Sequence, residues 1–60
     1  MKPKYILQVQ LTPKVHEGRM QYYWHIDLHT EDGQFTVKHG WAHSFNFAMI
    51  LAETEAKKLV

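Results

Sequence analysis

The 60-residue chain contains no cysteine. That excludes disulfides and thiolate metal sites, two common devices by which very small domains reach stability. No apolar run approaches the ~20 residues needed to span a bilayer. The start Met1-Lys2-Pro3-Lys4 leads into alternating rather than continuous apolar residues, so no signal peptide is expected and the expected setting is the cytoplasm. An excess of one charge is missing too: seven Lys/Arg stand against six Asp/Glu, leaving +1 with histidines neutral. A protein held to phosphates by charge alone carries a larger surplus, so nucleic acid is not demanded.

There is no glycine-rich phosphate loop, and no serine is placed by local spacing near both a histidine and a carboxylate. Ser44 beside His43 is the nearest approach to a nucleophile and base. Adjacent residues rarely aim at one another, and Ser44 suits a helix cap better. The expectation is therefore a non-enzymatic protein with no catalytic residue, no cofactor and no small-molecule substrate. A repeat, a low-complexity tract and a linker are also lacking, so residues 1–60 read as one small domain. A chain of this length removes only about 60% of its unfolded surface from water, which leaves a thin core and favours either dense packing or a partner subunit.

What is present is alternation. Tyr5, Leu7, Val9 and Leu11 are separated by Ile6, Gln8 and Gln10, the period of a strand with one buried face. Pro13 ends that strand, and residues 13–20 read as an exposed hairpin loop carrying Lys14, His16, Glu17, Gly18 and Arg19. The second strand is the clearest: Tyr22, Trp24, Ile26 and Leu28 point one way, and Tyr23, His25, Asp27 and His29 the other. Asp32-Gly33 then suits a two-residue type I′ turn. With those two residues as the loop, Leu28 faces Val37, Asp27 faces Lys38 as an exposed ion pair, and Trp24 faces Trp41, with His39 opposite Ile26 as the exception.

Beyond Trp41, Ser44 or Asn46 can cap a helix running to about Leu59 through good helix formers, with Lys57 and Lys58 at its C-terminal end. At 100° per residue Phe45, Ala48, Met49, Ala52, Ala56 and Leu59 share one stripe, which should lie on the sheet beneath the large residues Trp24, Phe35 and Trp41. The expected fold is α+β, a three-stranded antiparallel meander of order 1-2-3 packed on one C-terminal helix, β-β-β-α. In outline this order resembles the small sheet-plus-helix domains of phage integrase arm-binding modules and of some antitoxin proteins. The likeness is topological, and no residue role is carried over from it.

Two surfaces follow from the winding. Phe47, Ile50, Leu51 and Thr54 fall outside the sheet-facing stripe; this row either covers the sheet margin or forms a protein interface, and a homodimer or another protein partner is the leading expectation. The alternative is a small nucleic-acid-binding protein using the outer sheet face and the 14–19 loop, with Gln8, Gln10, Lys14, Arg19, Tyr23, His25 and Lys38 as its contacts. Asp27 at the centre of that face opposes phosphate, and with Tyr5, Tyr22, Trp24, Phe35 and Trp41 assigned to the core, Tyr23 alone is free to stack on a base.

Five histidines are many for 60 residues, and histidine is the side chain that gains charge in mild acid. The 25/29 pair lies on a strand, where four residues span about 13 Å and cannot share one metal. His39 and His43 lack an evident third ligand, so no metal site is expected. His39 reads instead as a hydrogen-bonded histidine at the core edge, or as the mark of a bulge beside Gly40.

Overall fold

The computed structural model describes residues 4–59. Its elements are β1 (Lys4–Val9), β2 (Lys14–His16), β3 (Arg19–Thr30), β4 (Gly33–Ala42) and α1 (Phe45–Leu59). All pairing is antiparallel, and the long β3 pairs with each of the other strands. The meander expected from alternation is present as β1, β3 and β4, with α1 packed on one face. No helix among the described residues is long and apolar enough to cross a membrane.

The fourth strand is β2, in the segment expected to be loop. Glu17 and Gly18 both have positive φ, 53° and 76°, the signature of a type I′ turn, whose twist matches that of its flanking strands. It sets His16 against Arg19, Val15 against Met20 and Lys14 against Gln21.

The β3–β4 turn departs from expectation in the opposite sense. Thr30 pairs with Gly33, so the loop is Glu31-Asp32, one residue earlier than Asp32-Gly33. Glu17 is the non-glycine residue with positive φ among those described, so this loop is not type I′. The Thr30 hydroxyl accepts the Asp32 N–H at 3.1 Å, a local bond that fixes the earlier turn.

From there the register runs through Leu28 opposite Phe35 and Asp27 opposite Thr36, and then shifts, so that Ile26 faces Lys38, Trp24 faces Gly40 and Tyr22 faces Ala42. Val37 is the extra residue of a β-bulge. One inserted residue reverses which side chains look toward the helix. Beyond the bulge Lys38, Gly40 and Ala42 turn to the helix, while His39 and Trp41 turn away.

Four expected pairs are therefore corrected: Leu28–Val37, Asp27–Lys38, Ile26–His39 and Trp24–Trp41 do not form. The physical reason lies at Gly40. A Cβ there would stand 2.7 Å from Cζ2 of Trp24, so the indole occupies the volume any larger residue would need. Two tryptophans facing the helix at this level would force it away; Gly40 and Ala42 let it approach.

The buried apolar residues are Trp24, Ile26, Ala42, Ala48 and Ala52, with Tyr5, Val9, Tyr22, Leu51, Ala56 and Leu59 packed around them. Even residues of β3 and odd residues of β1 face the helix as their alternation required. Ser44 is the helix cap: its Oγ accepts the Phe47 N–H at 3.1 Å, and its carbonyl accepts the Ala48 N–H.

The helix is rotated relative to the expected stripe. Met49 is 41% exposed, whereas Leu51 packs against the core. Glu55, one turn beyond Leu51 on the same side, accepts a hydrogen bond from Lys38 Nζ at 2.7 Å. The bulge aims Lys38 at the helix, and this contact draws the Leu51–Glu55 side toward β4.

Candidate functional site

The face of the sheet turned away from α1 is built from alternate residues of all four strands. Tyr23 and Trp41 are direct partners across β3 and β4, as are His25 and His39. The Tyr23 ring lies 5.1 Å from that of Trp41, 5.7 Å from His25 and 6.1 Å from His39. His16, carried in by the Glu17-Gly18 turn, stacks on Trp41 with centroids 4.3 Å apart and planes 6° from parallel. The result is a continuous aromatic surface at one end of the sheet.

Alternation on β1, β2 and β3 puts Gln8, Lys14, Arg19, Tyr23 and His25 on this face, and Gln10 continues it, its N–H donating to the Tyr23 carbonyl at 2.9 Å. Lys38 does not belong to it. The bulge turns that side chain to the helix and to Glu55, and the nucleic-acid contact expected of Lys38 is corrected accordingly. Residues not expected here, Trp41, His16 and His39, take its place.

Asp27 is the acidic group at the centre of the face, and it is buried rather than displayed. Its Oδ1 accepts from the Thr36 hydroxyl at 2.8 Å and its Oδ2 from Gln34 Nε2 at 2.9 Å. His25 Nε2 stands 3.6 Å from Oδ2. The Thr36 bond is the main cause holding the Asp27 carboxyl below its ordinary range, burial opposes it, and Gln34, His25 and His29 add to it.

At the end of the face an open groove of about 520 Å³ lies beside Trp41, walled also by Met20 and Phe47 and carrying Glu17, Arg19, Gln21 and His43 at its polar positions. Its volume falls in the range of small-molecule sites, roughly 300–1,000 Å³. The Glu17 carboxylate and the Arg19 guanidinium share this groove, so it carries no surplus of either charge among these two groups.

The outer helix row is reduced relative to expectation. Phe47 and Ile50 are exposed, at 39% and 58%, and the Phe47 ring lies 5.0 Å from that of His43. Leu51 leaves the row for the core. Thr54 is exposed, and its hydroxyl donates to the Ile50 carbonyl at 2.8 Å.

Among the described residues no group of three His, Cys, Asp or Glu side chains is placed to hold a metal ion. Comparison with protein-family models, with curated proteins and with solved structures finds no match.

Proposed function

We propose that this protein is a non-enzymatic cytoplasmic binding module that takes up single-stranded nucleic acid on its outer sheet face and 14–19 hairpin. The observation that carries this reading is the placement of Tyr23 and Trp41 as register partners on the exposed side, with His16 stacked on the indole. Aromatic side chains on an open sheet accept unstacked bases whatever their sequence. Lys4, Lys14 and Arg19 lie on the same face to meet phosphates, and the groove beside Trp41 offers a place for one base. A duplex keeps its bases stacked inside and cannot use such a surface in this way.

The test is a fluorescence titration with a single-stranded thymidine oligonucleotide and with a duplex of equal length. Trp24 is buried, so the emission that responds is that of Trp41. The expected result is quenching by the single strand, with a log–log salt slope of about −2 for three phosphates engaged. Trp41→Ala or Tyr23→Ala should weaken binding about tenfold or more, the worth of one stacked base. Absence of quenching and of any mobility shift at low salt removes this function.

A second reading, a protein partner docked on the outer side of α1, is supported by the exposure of Phe47 and Ile50. Ile50→Glu separates the two: it should leave oligonucleotide binding unchanged and abolish association through the helix.

A further inference from the structure

We propose that β1 is the seam of a homodimer, in which two copies join edge to edge as antiparallel strands centred on Leu7. This surface is distinct from the outer sheet face and from the Phe47–Ile50 side of the helix, and it does not depend on the nucleic-acid reading.

The Gln10 N–H donates to the Tyr23 carbonyl, so in the β1–β3 ladder the even residues of β1 are those bonded to β3. In an antiparallel pair the bonded and non-bonded positions alternate. Tyr5, Leu7 and Val9 therefore direct their N–H and C=O groups away from β3, and among the described strands β1 pairs with β3 alone. An edge of this kind is a ready template for another strand unless charge, proline or a bulge blunts it. Lys4–Val9 has no proline and no bulge, and its one charge is at its end.

The partner that fits is a second copy. Centring the two-fold axis on Leu7 sets Tyr5 opposite Val9 of the other copy, so every outward donor meets an outward acceptor. The same register places Lys4 opposite Gln10 and Ile6 opposite Gln8, with no like charges opposed.

Side chains point to the same conclusion. Leu7 is 38% exposed and Met49 41% exposed, and both line an open apolar groove of about 270 Å³ between β1 and α1, with Val9, Phe45, Ala52 and Glu53. Pairing at Leu7 brings the two leucines together at the mouths of the two grooves. It enlarges a core that is otherwise confined to Trp24, Ile26 and small alanines. It also runs the two sheets into one, laying their outer faces side by side.

Sedimentation equilibrium of the full chain, together with amide exchange, tests the proposal. The expected result is a dimer whose Tyr5, Leu7 and Val9 amides become protected as concentration rises. Leu7→Lys, which keeps the backbone donor but opposes two ammonium groups across the axis, should weaken dimerisation at least about tenfold. Leu7→Pro removes the outward N–H while leaving the bonds to β3 intact, and should give a folded monomer by circular dichroism. Ile50→Glu should leave the dimer unchanged. A wild-type monomer at millimolar concentration overturns the proposal. So does a dimer that survives both Leu7 variants, or one dispersed by Ile50→Glu.

Discussion

Asp27 and Thr36 face one another across β3 and β4, and the Thr36 hydroxyl donates to the Asp27 carboxylate at 2.8 Å. They are the last pair before the bulge. Gln34, two residues nearer the turn on the same strand, donates to the other carboxylate oxygen. A buried anion is expensive unless its lone pairs are filled, and here two side-chain donors from β4 fill them. The register between turn and bulge is thus held by polar contacts, whereas beyond the bulge it is held by the Trp24 indole lying against Gly40.

Acid should loosen the fold through two carboxylates. The Lys38 hydrogen bond, aided by Lys58, holds Glu55 down to about 2 from an ordinary 4.5. A depressed value in the folded state means stability that is fully present above pH 4.5 and lost as pH falls toward 2. Asp27, also lowered, acts in the same direction. Urea denaturation across this range should show Glu55→Gln less stable than wild type at neutral pH, with the difference vanishing at the acid end. A constant difference at all pH values contradicts the assignment.

Gly40→Ala should destabilise by about 1–3 kcal/mol, the ordinary penalty for overpacking, because the new methyl meets the middle of a buried indole and not a flexible chain end. Thermal melting checks it. Pairing this change with Trp24→Phe should recover part of the loss, since the smaller ring vacates the space, and a simple sum of the two losses would count against the contact.

The two tryptophans should behave oppositely. Trp24→Ala empties the core and should cost about 3–5 kcal/mol. Trp41→Ala removes a half-buried outer residue and should cost well under half of that, while abolishing the fluorescence response to oligonucleotide. Equal destabilisation by both would mean that Trp41 supports the core after all.

Much of the fold is legible in the residue pattern. The alternation of β1 and of β3, the helix with its Ser44 cap and the α+β class, an antiparallel sheet followed by one C-terminal helix, all follow from local periodicity and capping chemistry. Legibility fails at β4. Phe35, Val37, His39 and Trp41 read as one inward face; His39 can mark a bulge beside Gly40, but the inserted residue is Val37, three positions before that glycine. The cue available was Gly40: a glycine opposite a tryptophan marks a close approach, and taking Trp24 and Gly40 as partners would have turned Trp41 and His39 outward. On the outer sheet face, Gln8, Gln10, Tyr23 and His25 lie where uninterrupted alternation along β1 and β3 puts them, while Lys14 and Arg19, read as loop residues, reach the same face through the β2–β3 hairpin. Lys38 was misplaced, and Trp41, His16 and His39 were missed, because their side depends on the bulge and on the Glu17-Gly18 turn. The helix row lost Leu51 for a related reason, since the contact that rotates α1 comes from Lys38.

The residue sequence by itself determined the three longer strands, the helix and which side of β1 and β3 is apolar, because these depend on neighbours a few positions apart; the short β2 was not among them. Only the tertiary structure decided the phase of β4 against β3, and with it the aromatic surface and the seating of the helix. That phase rests on how an indole, a glycine and a buried carboxylate fit together across strands, and no short-range pattern encodes the fit.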